Sequence, residues 1–396
     1  MNPKLRFKDF KDDWIELKVS DAFEAILGGG TPKKNQKYWS GTIPWISSSD
    51  VPEGSISGIS ISRFITDEAI SNSATKRIPK ESVLIVSRVG VGKVAIAPTD
   101  LCTSQDFTNL IGCKGDPYFY AYNLSALMKP KSLSVQGSVI KGIPAAEIKE
   151  YKVKSPSPKE QTKIVELFTL IDKKISLTEN KLTQLQSAKE SLLFKIFSTQ
   201  CSTFKLRPSE SKKLTTIVEV SGGHTPSMAD KSLWEPGKNI WLTSKDVKSE
   251  YLSDSEMKIS DKGLKNLQQY PANSMVLVAR SGILKHSLPL ALVRTPFTVN
   301  QDLKVLQVKE DNPEFIFFAL KAKTRKILQN FVKSGTTVQS LMMPELMQME
   351  LEIPDKATQD RIANFFILFD KKIEAQQKKL TSLNRLKQSL MQQMFA

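Results

Sequence analysis

Only two histidines, His224 and His286, and three cysteines, Cys102, Cys113 and Cys201, occur in 396 residues. No pair of cysteines has CxxC spacing, which suits a reducing compartment. Two unmatched histidines leave nothing from which to assemble a zinc site or a histidine-based triad. The stretch SRVGVGK (Ser87–Lys93) resembles a phosphate loop, but it lacks the GxxxxGK[ST] spacing, with Val94 after the lysine. No GxGxxG opens a helix, no Asn-Pro-Pro-Tyr motif is present, and Pro354-Asp355 stands without the acidic-x-Lys of a nuclease centre. No catalytic and no metal residue is expected.

The chemistry left to this chain is that of cations and short polar groups. Lys+Arg number 57 against 41 Asp+Glu, a formal charge of +16 that points to a polyanionic partner. Basic residues and Ser, Thr, Gln or Asn interleave in the same short stretches. Cations meet phosphates, while short polar groups and arginine reach base edges. On that ground the candidate DNA contacts in the first half are Ser47, Ser48, Arg88, Lys93, Gln136, Ser138 and Lys141. In the second half they are Thr243, Ser244, Lys245, Arg280, Lys285, Thr336, Thr337 and Gln339.

These stretches recur in order. GGGTP (Gly28–Pro32) returns as GGHTP (Gly222–Pro226), IPWISSSDV (Ile43–Val51) as NIWLTSKDV (Asn239–Val247), and VLIVSRVGVGK (Val83–Lys93) as MVLVARSGILK (Met275–Lys285). Gln105-Asp106 returns as Gln301-Asp302, and GSVIKGI (Gly137–Ile143) as GTTVQSL (Gly335–Leu341). The offset drifts between 192 and 198, as insertions in loops produce, and it is far too long for a solenoid repeat. The recurring tryptophans, Trp39/Trp234 and Trp45/Trp241, sit beside Gly/Pro turns and read as packing anchors rather than base-stacking platforms.

One part of the repeat is nearly fixed. Residues 160–198 and 358–396 align without a gap, with 16 identities in 39 positions. Apolar residues follow the alternating four-three spacing of a heptad: Ile164, Phe168, Ile171, Ile175, Leu182, Leu185, Leu192, then Ile362, Phe366, Phe369, Ile373, Leu380, Leu383, Leu390. Thr178 and Lys189 interrupt the first stripe, Gln376 and Lys387 the second. No Gly or Pro falls inside either stretch, so each is expected to be one long helix of about 57 Å. Each stripe could be the core face of its own domain, but in a duplicated chain pairing of the two is favoured, and one chain folding back makes the pair antiparallel.

The expected fold class is therefore α+β: two globular domains joined by two long helices in an antiparallel intramolecular coiled coil, with a pseudo-two-fold internal repeat. Residues 1–155 are expected as the first globular domain and 156–198 as the central helix. Residues 199–213 read as a linker, 205–353 as the second domain and 354–396 as the C-terminal helix. The charged opening MNPKLRFKDFKDDW and the lack of any apolar run near ~20 residues lead to an expectation of a cytoplasmic protein with no membrane partner.

The order of the blocks resembles the specificity subunit of Type I restriction–modification systems. The resemblance spans essentially the whole chain. It rests on PKLRFKDFKDDW (Pro3–Trp14), the GGGTP, IPWISSSDV and VLIVSRVGVGK blocks, GSVIKGIP, and PSPKEQTKIVELFTLIDKKI (Pro156–Ile175), most of them present twice. It implies a non-catalytic subunit whose two target recognition domains each read half of a bipartite, asymmetric site in double-stranded DNA. The helix pair sets the spacer and helps dock two modification (methyltransferase) subunits, and restriction (translocase/nuclease) subunits complete the complex. S-adenosylmethionine, ATP and magnesium are then used by the partner subunits, and this chain holds no cofactor. The alternative from another class is a coiled-coil scaffold whose basic surface serves solubility or RNA.

Overall fold

The computed structural model describes residues 3–135, 142–198, 208–333 and 338–395. They form two compact units: unit 1 is Met1–Asn180 with Lys378–Ala396, and unit 2 is Lys181–Gln377. Each unit thus holds one globular part and a stretch of both long helices.

In unit 1 the strand Val83–Val86 is buried on both faces. Side chains alternate across a strand, so Val83 and Ile85 enter one core while Leu84 and Val86 enter another. Phe107–Cys113 and Val94–Ile96 flank it antiparallel, and Phe23–Gly28 completes a four-stranded sheet. A second sheet is centred on Ile43–Ile46, which runs parallel to Leu101–Thr103 with Trp45 opposite Cys102. Finally Ile15–Lys18 pairs antiparallel with Lys152–Ser155, closing the globular part and delivering the chain to the central helix.

Unit 2 follows the same plan. Met275 and Leu277 face one core, Val276 and Val278 another. The sheet runs Val218–Gly222, Leu303–Val308, Met275–Val278, Leu290–Val293, and gains a fifth strand, Tyr251–Leu252. Asn239–Leu242 runs parallel to Thr298–Val299 with Trp241 opposite Thr298. Ser209–Lys213 pairs with Glu350–Pro354. Of the stretch 199–213 read as a linker, 209–213 is thus a strand, within the bounds 205–353 read for the second domain. SESKK has no apolar residue to announce a strand, and its order comes from the backbone ladder and from Ser209 and Ser211 hydroxyls donating to Glu352 (2.8 Å) and Glu350 (3.2 Å). The remainder of that segment, 199–207 with Cys201, lies outside the described residues.

The long helices are Pro158–Phe197 and Lys356–Phe395, 40 residues each. Proline opens the first, where its missing N–H costs nothing. Gln161 and Gln359 anchor the first turns: each side-chain oxygen accepts a backbone N–H, of Asp116 and of Asn312, at 2.9 Å. In unit 1 Phe168 stacks on Phe395 at 5.6 Å and Asp172 meets Lys387. In unit 2 Phe197 stacks on Phe366 at 6.3 Å and Asp370 meets Lys189. Residue numbers fall on one helix as they rise on the other, so the helices are antiparallel within each unit.

Of the expected seam, Ile164, Phe168, Ile171, Leu182 and Phe366 are buried. Ile175, Leu185, Leu192, Ile362, Phe369, Ile373, Leu380, Leu383 and Leu390 are half-buried. Met394, which ends the second stripe, is buried, and Leu193, Phe197 and Ala363 are buried as well, off the strict heptad. A straight α-helix drifts from a 3.5 repeat, and near the ends the helices also pack on a globular core: Met394 shares one with Trp14 and Phe119, Phe197 another with Phe315 and Phe318. Seam pairing and domain-core packing are one continuous contact in each unit.

Phe168→Ala and Phe366→Ala are each expected to destabilise the chain by about 3–5 kcal/mol. Leu170→Ala, on the half-exposed face of the same helix, should change stability by no more than ~0.5 kcal/mol. Urea denaturation of the three variants beside the parent checks both values.

Candidate nucleic-acid interface

The recurring residues of the globular parts build the same frame twice. Gly29 and Gly223 pass so close to the neighbouring backbone that a Cβ would lie 2.0 Å from the Ser104 carbonyl and 1.9 Å from that of Val299. Thr31 bonds the Gln105 side chain, and Thr225 bonds Gln301 at 2.7 Å. Trp39 and Trp45 meet edge to face at 5.0 Å, as do Trp234 and Trp241. The indole N–H groups of Trp45 and Trp241 donate to the carbonyls of Gly30 and His224. The four tryptophans are packing anchors, each with a pinned N–H.

The SSSD and TSKD turns are also internal. Asp50 accepts the Ser47 backbone N–H at 2.7 Å and its hydroxyl at 3.1 Å, and Asp246 does the same for Thr243 at 2.8 Å each. Arg63 bonds both Ser47 and Asp50 and lies over the Trp45 ring at 4.6 Å. Ser48 is buried. Ser47 and Thr243 therefore spend their hydroxyls on turn geometry and Ser48 is turned inward, so the structure does not offer these three as free contacts. Ser244 is half-buried and Lys245 exposed on the same turn of unit 2.

Arg88 and Arg280 occupy equivalent places. Each follows the buried central strand, each donates its backbone N–H to the carbonyl of the matched aspartate (Asp106, Asp302) at 3.3 Å, and each side chain is exposed. Neither has an ion-pair partner among the described residues. Arg88 opens onto a shallow cleft with Gln105, Asp106 and Gly142. Gln105 and Gln301, which along the sequence mark only the repeat, are exposed beside these arginines. Their strict recurrence next to Asp was the available signal.

Lys93 and Lys285 are not equivalent. Lys93 donates to the carbonyls of Ser48 (3.2 Å) and Val51 (2.9 Å) after a loop in which Gly90 and Gly92 take positive φ. In unit 2 a single-turn helix, Gly282–Lys285, buries Leu284 and leaves Lys285 exposed. Lys93 is thus a strut of the turn rather than a free contact. Gln339 is also corrected: its strand pairs with Arg280–Ser281, and its side chain turns inward, 3% exposed. Gln136, Ser138, Lys141, Thr336 and Thr337 lie outside the described residues.

Both units carry exposed cations without an ion pair among the described residues, in unit 1 Lys33, Lys34, Lys37 and Lys76, and in unit 2 Lys231, Lys245, Lys265 and Lys285. In unit 2 Lys238, Lys248 and Lys262 are matched to Asp261, Glu256 and Asp230. Burial, reinforced by Lys326, lowers the affinity of Lys323 for its proton. Burial pushes the thiols of Cys102 and Cys113 up to about 11, which leaves them unreactive. Among the described residues no cluster of His, Cys, Asp and Glu could hold a metal ion, and no helix is long and apolar enough to cross a membrane.

The family model for the Type I restriction modification DNA specificity domain matches this chain twice, over residues 11–187 and 207–385. The chain belongs to that family. Among its relatives, the Type I restriction enzyme MjaIX specificity subunit of Methanocaldococcus jannaschii is 27% identical over 96% of this chain and 92% of that protein. The EcoR124I/EcoR124II specificity subunit of Escherichia coli is 29% identical over 55% of each. The crystal structure of a Type I restriction–modification S subunit from M. genitalium superposes with a TM-score of 0.62 at 16% identity, covering 100% of this chain and 99% of that one. A chain from a study of complex assembly and conformational transition of the type I R-M system gives 0.63 at 12%, covering 97% and 98%. At such identities the likeness is one of fold. In this family member both matches end inside a long helix, so each specificity domain, as the sequence repeats it, spans parts of both compact units.

Arg88→Ala and Arg280→Ala are expected to leave the melting transition within ~0.5 kcal/mol of the parent. Lys93→Met, which strips a donor from two carbonyls, should cost about 1–3 kcal/mol. Thermal denaturation of the three variants separates the exposed arginines from the structural lysine.

Proposed function

We propose that this chain is the DNA-specificity subunit of a Type I restriction–modification complex and performs no catalysis itself. The observation that carries the reading is the double match to one DNA specificity domain, in copies whose frames agree and whose exposed groups differ. Two unequal readers suit a bipartite, asymmetric site: each globular part reads one half of a double-stranded target, and the helix pair fixes the spacer. Exposed cations of both units meet phosphates, and Arg88 and Arg280, equivalent in their frames, reach the DNA in their respective halves. Two modification subunits dock on this chain and bring S-adenosylmethionine. Restriction subunits bring ATP and magnesium, and the complex works in the cytoplasm.

The test is to express the chain with and without its genomically adjacent methyltransferase and to map methyladenine. The expected result is an asymmetric bipartite motif that is methylated only when both are present. No new methylation from a soluble complex of the two would return the chain to a scaffold role. In the same assay, four residues inserted within Leu177–Leu185 should lengthen the spacer and leave both half-sites unchanged. Arg88→Ala should weaken DNA binding by ~1–3 kcal/mol, at one base position if it reads a base and across all sequences if it holds phosphate.

A further inference from the structure

Two heptad positions that would ordinarily be apolar hold lysine, and both lysines are buried: the side chains of Lys189 and Lys387 are 8% and 6% exposed. A buried ammonium is costly unless it is fully partnered. In unit 1 Lys387, on the C-terminal helix, reaches Asp172 of the central helix at 2.6 Å and the backbone carbonyl of Gly54, in a loop of the globular part, at 2.8 Å. It also faces the Tyr122 ring at 5.6 Å, and the Tyr122 hydroxyl donates to the second oxygen of Asp172 at 2.8 Å. In unit 2 Lys189, on the central helix, reaches Asp370 of the C-terminal helix and Glu250 of the globular part, each at 2.5 Å. Here the ring is Phe318 at 5.5 Å, and the Tyr251 hydroxyl donates to Asp370 at 2.8 Å.

The two constellations match in geometry but not in origin. Tyr122 stands on the helix Pro117–Val135, whereas Tyr251 stands on a short edge strand that unit 1 does not pair into its main sheet. The loop acceptor is a carbonyl in one unit and a carboxylate, itself held by Lys321 at 3.1 Å, in the other. The shared requirement is a lysine tied to both the opposite helix and the globular part.

The pairing also selects a register. Moving the partner helix by one heptad would set Lys387 against Val165 or Glu179, and Lys189 against Ala363 or Gln377. Only the observed register gives both lysines a carboxylate. A single polar residue in an apolar seam is a recognised means of fixing register at some cost in stability.

We infer that Lys189 and Lys387 are positioning residues for half-site reading: each fixes the helix pair in one register and ties to it a loop of the recognition domain in the same compact unit, Glu250 for Lys189 and Gly54 for Lys387. The inference rests on the specificity reading above. The test uses the full chain co-expressed with its methyltransferase, with methyladenine mapping as the readout, for Lys387→Met and Lys189→Met. Both half-sites should persist, methylation at the native spacer should fall about tenfold, and motifs with a spacer changed by about three base pairs, the ~10.5 Å of one heptad, should appear. Loss of stability alone would lower the signal without broadening the spacer. If Lys387→Met leaves Asp172 unpaired and the chain fails to fold, Lys387→Met/Asp172→Leu, which removes both charges, is read by the same map. Variants that methylate the single native spacer at the parent level overturn the positioning role alone. A parent chain that yields no bipartite motif overturns the specificity reading and the positioning role with it.

Discussion

The contact on which the molecule depends is the antiparallel packing of two 40-residue helices through a stripe that neither could bury alone. Phe168 and Phe366 are fully buried, and each is stacked by a phenylalanine of the other helix, Phe395 and Phe197. Because one partner lies in the middle of the chain and the other near its C-terminal end, each compact unit holds part of both helices. The opening segment reinforces this in unit 1. Arg6 grips the buried Glu160 of the central helix through two bonds of 2.8 Å, and the Leu5 N–H donates to the Gln393 carbonyl of the C-terminal helix. Glu160 and its hydrogen bond hold the Arg6 guanidinium still more firmly in its charged form.

This constraint accounts for the two textures of the repeat. A residue inserted in either helix would rotate every following side chain by about 100° and take the stripe off its partner. The helices accordingly keep a gapless alignment. The globular parts have no such demand beyond a few contacts: two glycines that admit no Cβ, a Thr–Gln bond, a crossed tryptophan pair and a turn capped by aspartate. Between those fixed points loops differ freely. The loop before Lys93 and the helical turn before Lys285 are one such difference, and it alters which lysine faces solvent.

The polar groups inside the units differ in kind. Burial raises the affinity of Asp370 for its proton against the pull of Lys189. For Glu250, burial acts in the same direction, but Lys321 and Lys189 together outweigh it and hold its carboxyl below the usual range. Glu250 therefore contributes stability that is present above the ordinary carboxylate pKa and fades as pH falls through its lower folded value. Asp370 works in the opposite sense, favouring its neutral form in the fold. The equivalent loop acceptor in unit 1 is the uncharged carbonyl of Gly54. Tyr122 and Tyr251 are pushed above the ordinary phenol range, first by burial and then by the aspartates that accept their hydroxyls, so both remain donors.

The sequence by itself determined the duplication, the two helices, their apolar stripes and the absence of recognisable catalytic motifs, because those follow from periodicity and residue type along the chain. The family was legible there too, in the order of its blocks. It did not determine which polar residues face outward. Ser47, Thr243, Lys93 and Gln339 have the composition of DNA contacts, but their partners, Asp50, Asp246, the Ser48 and Val51 carbonyls, and the interior of unit 2, are set by loop closure and strand alternation. Nor could it show that SESKK is a strand, since its order comes from hydrogen bonds to a segment some 140 residues away. Lys189 and Lys387 are the clearest case. Along the chain they are breaks in a heptad. Only the tertiary structure brings a carboxylate from the other helix and a loop oxygen to each ammonium, and so turns two costly buried charges into fixed points of the fold.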